Sequence, residues 1–172
     1  SLIIFISLFY IFDKQSDQLI GESLFGTIAI LTGTGYVLGD YELWPVFLQL
    51  ILLTLMFIGG MGGSTTGGMK VIRILLLAKY AALETRRMLH SRALLPVKIG
   101  KQYVKEDVVR NTLGFFLFFM SAFIISAILL STLGLDIESS IGAAASAMGN
   151  IGPAFGEFGP TDNYAMMPKL GK

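Results

Sequence analysis

The sequence predicts an all-α membrane protein built from two copies of one unit: a helix, a short re-entrant pore loop and a second helix. Three observations predict it. The 172 residues are 53% hydrophobic and 15% charged, with mean hydropathy +0.69, too apolar for a water-soluble domain of this size. One 25-residue run, Asn111 to Leu135, carries no charge and is long enough to cross a hydrocarbon core about 30 Å thick. The chain also repeats itself at a shift of 117 residues, which lays Ser23 on Ser140, Gly35 on Gly152, Gly39 on Gly156 and Asp40 on Glu157.

The elements follow in order. Residues 1–12, SLIIFISLFYIF, lack a basic leader and a small-residue cleavage site, so they read as the later turns of a first helix rather than a signal peptide. Residues 22–41 form the first pore loop, ten or so small and apolar residues followed by the glycine-punctuated LTGTGYVLGD. The second helix, 43–78, opens on Trp44 and Pro45, suited to an interface and a first helical turn. It is broken by Gly59 to Gly68, six glycines in ten residues, where each costs a helix roughly 1 kcal/mol relative to alanine. Together these make a first repeat over 1–78.

Residues 79–106 are a basic link. KYAALETRRMLHSR continues as a helix, and LLPVKIGKQYV alternates around Gly100 as a small hairpin. A second repeat occupies 107–172, with a helix at 107–135 and a pore loop at 139–158. By the internal register it is due a final helix from about residue 160, most of which is missing from the chain.

Charge sets the topology. Net charge is only +1, but Lys70 to Arg110 holds ten bases against three acids, a net of +7, and the remainder holds three bases against nine acids, a net of −6. Lysine and arginine favour cytoplasmic loops, so 79–106 is expected inside and the acidic loops outside. The basic link is expected either to set topology alone or to dock a cytosolic regulator or anionic lipid. Outward acids Asp40, Glu42, Glu138, Glu157 and Asp162 either solvate loops or concentrate cations at a mouth. Lys70 and Arg73 mark the return to the cytosolic interface. No nucleic-acid partner is expected.

Enzymatic classes find no support. Cysteine is absent, the single His90 lies in a basic surface stretch, and no nucleophile set, HExxH or paired intramembrane carboxylates occur. GGSTTGGMK imitates a phosphate-binding loop, but Met69 stands where its lysine belongs, and no soluble strand precedes it.

The glycine turns carry the chemistry. A segment too short to cross a membrane, followed by irregular backbone, can sit at membrane depth only where its carbonyls face water or an ion. Glycine lets successive oxygens aim at one axis, which is how a filter replaces a cation's hydration shell. Gly35 and Gly152 are the expected pivots. Thr32, Gly33, Thr34 and Tyr36, with Gly149, Asn150, Ile151 and Pro153, are expected to supply oxygens and buttress them. Close helix packing is the competing use of such glycines, and the repetition in register argues against it. The interruption formed by Gly59, Gly60, Gly62, Gly63, Ser64, Thr65, Thr66, Gly67 and Gly68 is either a passive kink or a loop that obstructs a water-filled path.

The order TGTGYxxGDYxLWP, GGMGGSTTGGMKVIRILLL, LLPVKIG and GNIGPAFGEFGP resembles the Trk/Ktr/HKT superfamily of potassium transporters over nearly the whole chain. That resemblance implies two of four helix, pore-loop, helix repeats of a potassium-channel-like pore, here repeats three and four. Gly35 and Gly152 would be their filter glycines, and 59–68 the intramembrane gating loop. It implies K+ as the transported ion, held by the carbonyls of Thr34, Gly35, Asn150, Ile151 and Gly152, with no organic cofactor. It further implies a multi-pass protein of the bacterial inner membrane, a homodimer, and a cytosolic ring of nucleotide-binding regulatory subunits. Two other readings stand beside passive potassium flow: a secondary transporter coupled to Na+ or H+, and a non-conducting membrane interaction subunit.

Overall fold

The computed structural model describes residues 16–89, 96–100 and 102–171; the opening segment 1–12 and His90 lie outside them. Among the described residues the fold is carried by α1 (Ser16–Thr32), α2 (Val46–Ile58), α3 (Val71–Leu89), α4 (Glu106–Thr132) and α5 (Ile137–Gly149). The strand content is a two-residue hairpin, β1 (Lys98–Ile99) and β2 (Gln102–Tyr103), antiparallel with Lys98 opposite Tyr103. Its turn uses Gly100 at φ +59°. The Lys98 ammonium lies 4.3 Å from the Tyr103 ring centre, and Lys79 Nζ donates to the Lys98 carbonyl at 2.9 Å, fastening the hairpin to α3. Leu76, Val97 and Val109 form the small core beneath it.

Helix α4 runs 27 residues, about 40 Å at 1.5 Å per residue. Glu106 and Asp107 in its first turn complement the helix dipole. Only 6% of its most apolar stretch is buried within the chain, and Phe118 is 74% exposed. By length and composition this helix can cross a membrane, where lipid tails cover such a face without cost. Its other face takes Phe57 of α2 edge-on against Phe119 and Phe123, and Arg73 of α3 over Phe115 at 4.1 Å.

Helix α5 has 13 residues, about 20 Å, too short to cross a bilayer. Its small residues Gly142, Ala143, Ala144, Ala145 and Ser146 are buried, letting neighbouring backbone come close. A Cβ on Gly142 would lie 2.6 Å from the Phe155 amide nitrogen. Helix α1 is described from Ser16, so it already covers the residues ahead of the expected pore-loop start at Glu22.

The two copies share one core. Tyr41, Trp44, Leu48, Leu52 and Met56, with Ile30 from α1, pack against Ala145, Ile151 and Phe155 of the second copy. Tyr41 is 1% exposed, meets Phe155 edge-on at 5.3 Å, and donates its hydroxyl to the Ala154 carbonyl at 2.7 Å. Tyr41→Phe is expected to destabilise the full-length protein by roughly 1–3 kcal/mol, because a buried carbonyl is left unpaired. The check is the thermal-unfolding midpoint of the detergent-solubilised protein, and an unshifted midpoint would show the bond dispensable.

The copies part company after the second turn. Positions 163 to 171 correspond by the shift to the start of α2, so the helix expected from about residue 160 should be under way. They hold a 3-10 turn at Tyr164–Met166, with Asn163 capping the Ala165 N–H at 2.8 Å, and further turns around Pro168, which lacks the N–H a helix would use.

Candidate functional site

Both glycine turns grow from the carbonyl end of a short helix. In the first, Gly33 closes α1 with φ +67°, and the amides of Thr34 and Gly35 fold back to the Ala29 carbonyl at 3.0 and 3.4 Å. The Thr34 hydroxyl reaches the same oxygen at 3.3 Å, and the Thr32 hydroxyl donates to Ile28 at 2.7 Å. In the second, Asn150 closes α5 in the left-handed conformation, φ 53° and ψ 49°, and the Ile151 amide returns to the Ser146 carbonyl at 3.1 Å. Asparagine is among the few side chains that tolerate this conformation, so Gly33 and Asn150 solve the same corner differently.

Beyond those corners the turns meet. Gly35, at φ +69°, faces the second turn so closely that a Cβ there would lie 1.9 Å from the Ile151 carbonyl oxygen and 3.0 Å from Pro153 Cδ. Gly152 sits at φ +110° with open space around it. Among the described residues no hydrogen bond reaches the carbonyls of Thr34, Gly35, Asn150 or Ile151. The two turns that carry these oxygens approach each other at the C-terminal, partly negative ends of α1 and α5, and neutral carbonyl oxygens of this kind can replace a cation's water.

Gly152 is different. Its carbonyl accepts the Ser146 hydroxyl at 2.9 Å and the Tyr164 hydroxyl at 2.7 Å, and its amide donates to Ser146 Oγ at 3.1 Å. An ion at the Gly152 oxygen would therefore have to share it with two hydroxyl donors, unlike the carbonyls of Thr34, Gly35, Asn150 and Ile151. Ser146 is the register partner of Ala29, and the copies thus anchor the same point by a side-chain hydroxyl in one and a backbone oxygen in the other. Tyr36 is exposed and Pro153 half-buried.

The glycine-rich interruption lies against both turns from the side of their helix ends. Helix α2 stops at Ile58, and Gly59, φ +66°, turns the chain out. The tip, Met61 to Thr65, is exposed, with Gly62 and Gly63 having little or nothing beside them. The returning strand is wedged in. Thr66 is 8% exposed, with its methyl 3.2 Å from where a Gly33 Cβ would be. The Gly67 and Gly68 amides donate to the Gly149 and Met148 carbonyls at 3.1 and 3.3 Å, satisfying the C-terminal end of α5. Met69 closes on the Phe57 carbonyl at 2.9 Å, and Gly60 N–H donates to Thr66 Oγ1 at 3.0 Å.

Sequence reasoning missed Lys70. Expected as an interfacial marker, it is instead folded into the interruption with φ +69°, its ammonium on the carbonyls of Ser64 and Thr66 and on Thr66 Oγ1. The only signal available was a lysine two residues past a Gly-Gly pair.

The outer acids are not uniformly solvated. Glu42 packs its carboxyl against Gly159, and its Oε1 is buried with no partner among the described residues. Burial raises its pKa, the Gly156 N–H pulls the other way, and Asp40, Asp162 and Glu138 add to the rise.

Comparison with known proteins places this geometry. Residues 11–172 match the family model described as TrkH, cation transport protein. A Trk system potassium uptake protein TrkH of Vibrio parahaemolyticus is 40% identical over 136 residues, 79% of this chain and 28% of that protein. The TrkH protein of Halomonas elongata is 33% identical over 167 residues, covering 97% of this chain and 34% of its own length. The crystal structure of the potassium transporter TrkH from Vibrio parahaemolyticus superposes with TM-score 0.90 at 34% identity, covering 99% of this chain and 36% of that one. The chain therefore spans about a third of the relatives it matches.

Proposed function

Because the chain belongs to the TrkH family of cation transport proteins, we propose that it supplies repeats three and four of a four-repeat potassium pore, with ions passing down their gradient or only weakly coupled to another ion. The supporting observation is the meeting of the two glycine turns, with the carbonyls of Thr34, Gly35, Asn150 and Ile151 free of donors among the described residues. Potassium is the transported substrate, held by those oxygens as its water is stripped. Gly59 to Gly68 is the loop that obstructs the path on the cytosolic side. The full-length protein works in the bacterial inner membrane as a homodimer, with 79–106 in the cytoplasm facing a nucleotide-binding regulatory subunit.

The test is complementation followed by flux. Full-length protein is expected to restore growth of a potassium-uptake-deficient strain at low potassium, and in proteoliposomes to carry a flux that follows the potassium gradient alone. Failure to restore growth, despite membrane expression, would point to a non-conducting interaction subunit. A flux requiring Na+ or H+ in stoichiometric amount would replace the pore with a coupled carrier.

A further inference from the structure

We infer that Lys70 is the latch of the glycine-rich loop, a positioning residue whose ammonium holds that loop in its obstructing place; the inference rests on the pore reading above. The returning half of the loop is held by the amides of Gly67, Gly68 and Met69, but its glycine-rich tip is exposed and has little of its own to favour one position. One side chain ties that tip to the held half. The Lys70 ammonium reaches back to the Ser64 carbonyl at 2.9 Å, the Thr66 carbonyl, and Thr66 Oγ1 at 3.2 Å.

Thr66 is the residue through which this grip is transmitted. Its methyl rests against Gly33 at the base of the first turn, its Oγ1 takes the Gly60 N–H, and the next two amides cap α5 beneath the second turn. One ammonium therefore ties together both edges of the interruption and presses it on both filter turns. An ammonium on a set of neutral oxygens is also a tethered cation, standing in the kind of cage a permeating ion would use. While it stays, those oxygens are taken and a positive charge lies in the path. When it leaves, the loop loses its charge-assisted bonds and the oxygens become available.

The backbone makes the test clean. Lys70 sits at φ +69°, which glycine and asparagine adopt with least strain. Lys70→Asn and Lys70→Gly thus remove the ammonium without disturbing the turn, and Lys70→Arg keeps charge and donors. In full-length protein reconstituted without any regulatory subunit, potassium flux is expected to rise on the order of tenfold in the Asn and Gly variants, the scale set by losing hydrogen bonds to a charged group. Arg is expected to stay near the native value, and potassium-to-sodium preference is expected to hold in all three. Hydrogen exchange of the 59–70 segment, read by mass spectrometry in detergent, is expected to quicken in Asn and Gly alone, and this readout does not depend on flux. Native flux and native exchange in Lys70→Asn would overturn the latch while leaving the pore intact. Loss of flux in a stably folded Lys70→Asn would overturn it too, by making the lysine necessary for conduction. Absence of potassium flux in the native protein would overturn both the latch and the pore.

Discussion

Gly35→Ser is expected to cut potassium-over-sodium preference far more than Gly152→Ser, although the two glycines occupy the same register of the repeat. At Gly35 two costs add. The left-handed backbone, φ +69°, disfavours any residue with a Cβ by about 1–2 kcal/mol. That Cβ would also fall 1.9 Å from the Ile151 oxygen, inside any non-bonded distance, so the turns must be driven apart. Overpacking of this kind typically costs ~1–3 kcal/mol, and since about 1.4 kcal/mol is a factor of ten, preference should fall on the order of tenfold or more. At Gly152 nothing lies within 4 Å of the added atom, leaving only the strain of φ +110°. Its carbonyl is moreover held by the Ser146 and Tyr164 hydroxyls, which resist its displacement. Reversal potentials of the two full-length variants in mixed potassium and sodium decide the matter. Equal shifts, or a larger one at Gly152, would mean that the contact between Gly35 and Ile151 does not shape the path.

The difference between these two glycines also shows where reading the chain alone stops. The all-helical fold was legible because its signals are local: an uncharged run in α4, acids at its start, and glycines that no helix would choose between Ile58 and Val71. The repeat was legible because Gly35 and Gly152 recur at one shift. Which oxygens those glycines present was not, because it depends on residues elsewhere in the chain. Ser146 replaces Ala29 at the anchor point, and Tyr164 comes from a segment whose copy in the first repeat is helical. The same limit hid Lys70. Residue type suggested an interfacial cation, and only the left-handed backbone at that position swings the side chain back toward Ser64 and Thr66. Gly67 and Gly149 are 82 positions apart, and no pattern in either segment announces that they touch.

That last contact yields the second large effect. Gly67→Ala is expected to raise basal potassium flux through the full-length protein on the order of tenfold. Gly67 is not among the glycines with positive φ, so alanine there tests space and not backbone strain. Space is what is lacking. The added Cβ would lie 2.4 Å from the Met148 oxygen and 2.5 Å from the Gly149 carbonyl carbon, both in the backbone of α5's last turn, which cannot swing aside as a side-chain tip would. The loop must therefore withdraw, giving up the bonds from the Gly67 and Gly68 amides, each worth about 1 kcal/mol net. Withdrawal also uncovers the negative end of the α5 dipole, which then favours a cation just where the obstruction stood. Gly63→Ala, with nothing within 4 Å at the exposed tip, should raise flux much less. Should Gly67→Ala conduct like the native protein while its loop amides exchange faster, the segment would move without obstructing anything, and the interruption would be a passive kink.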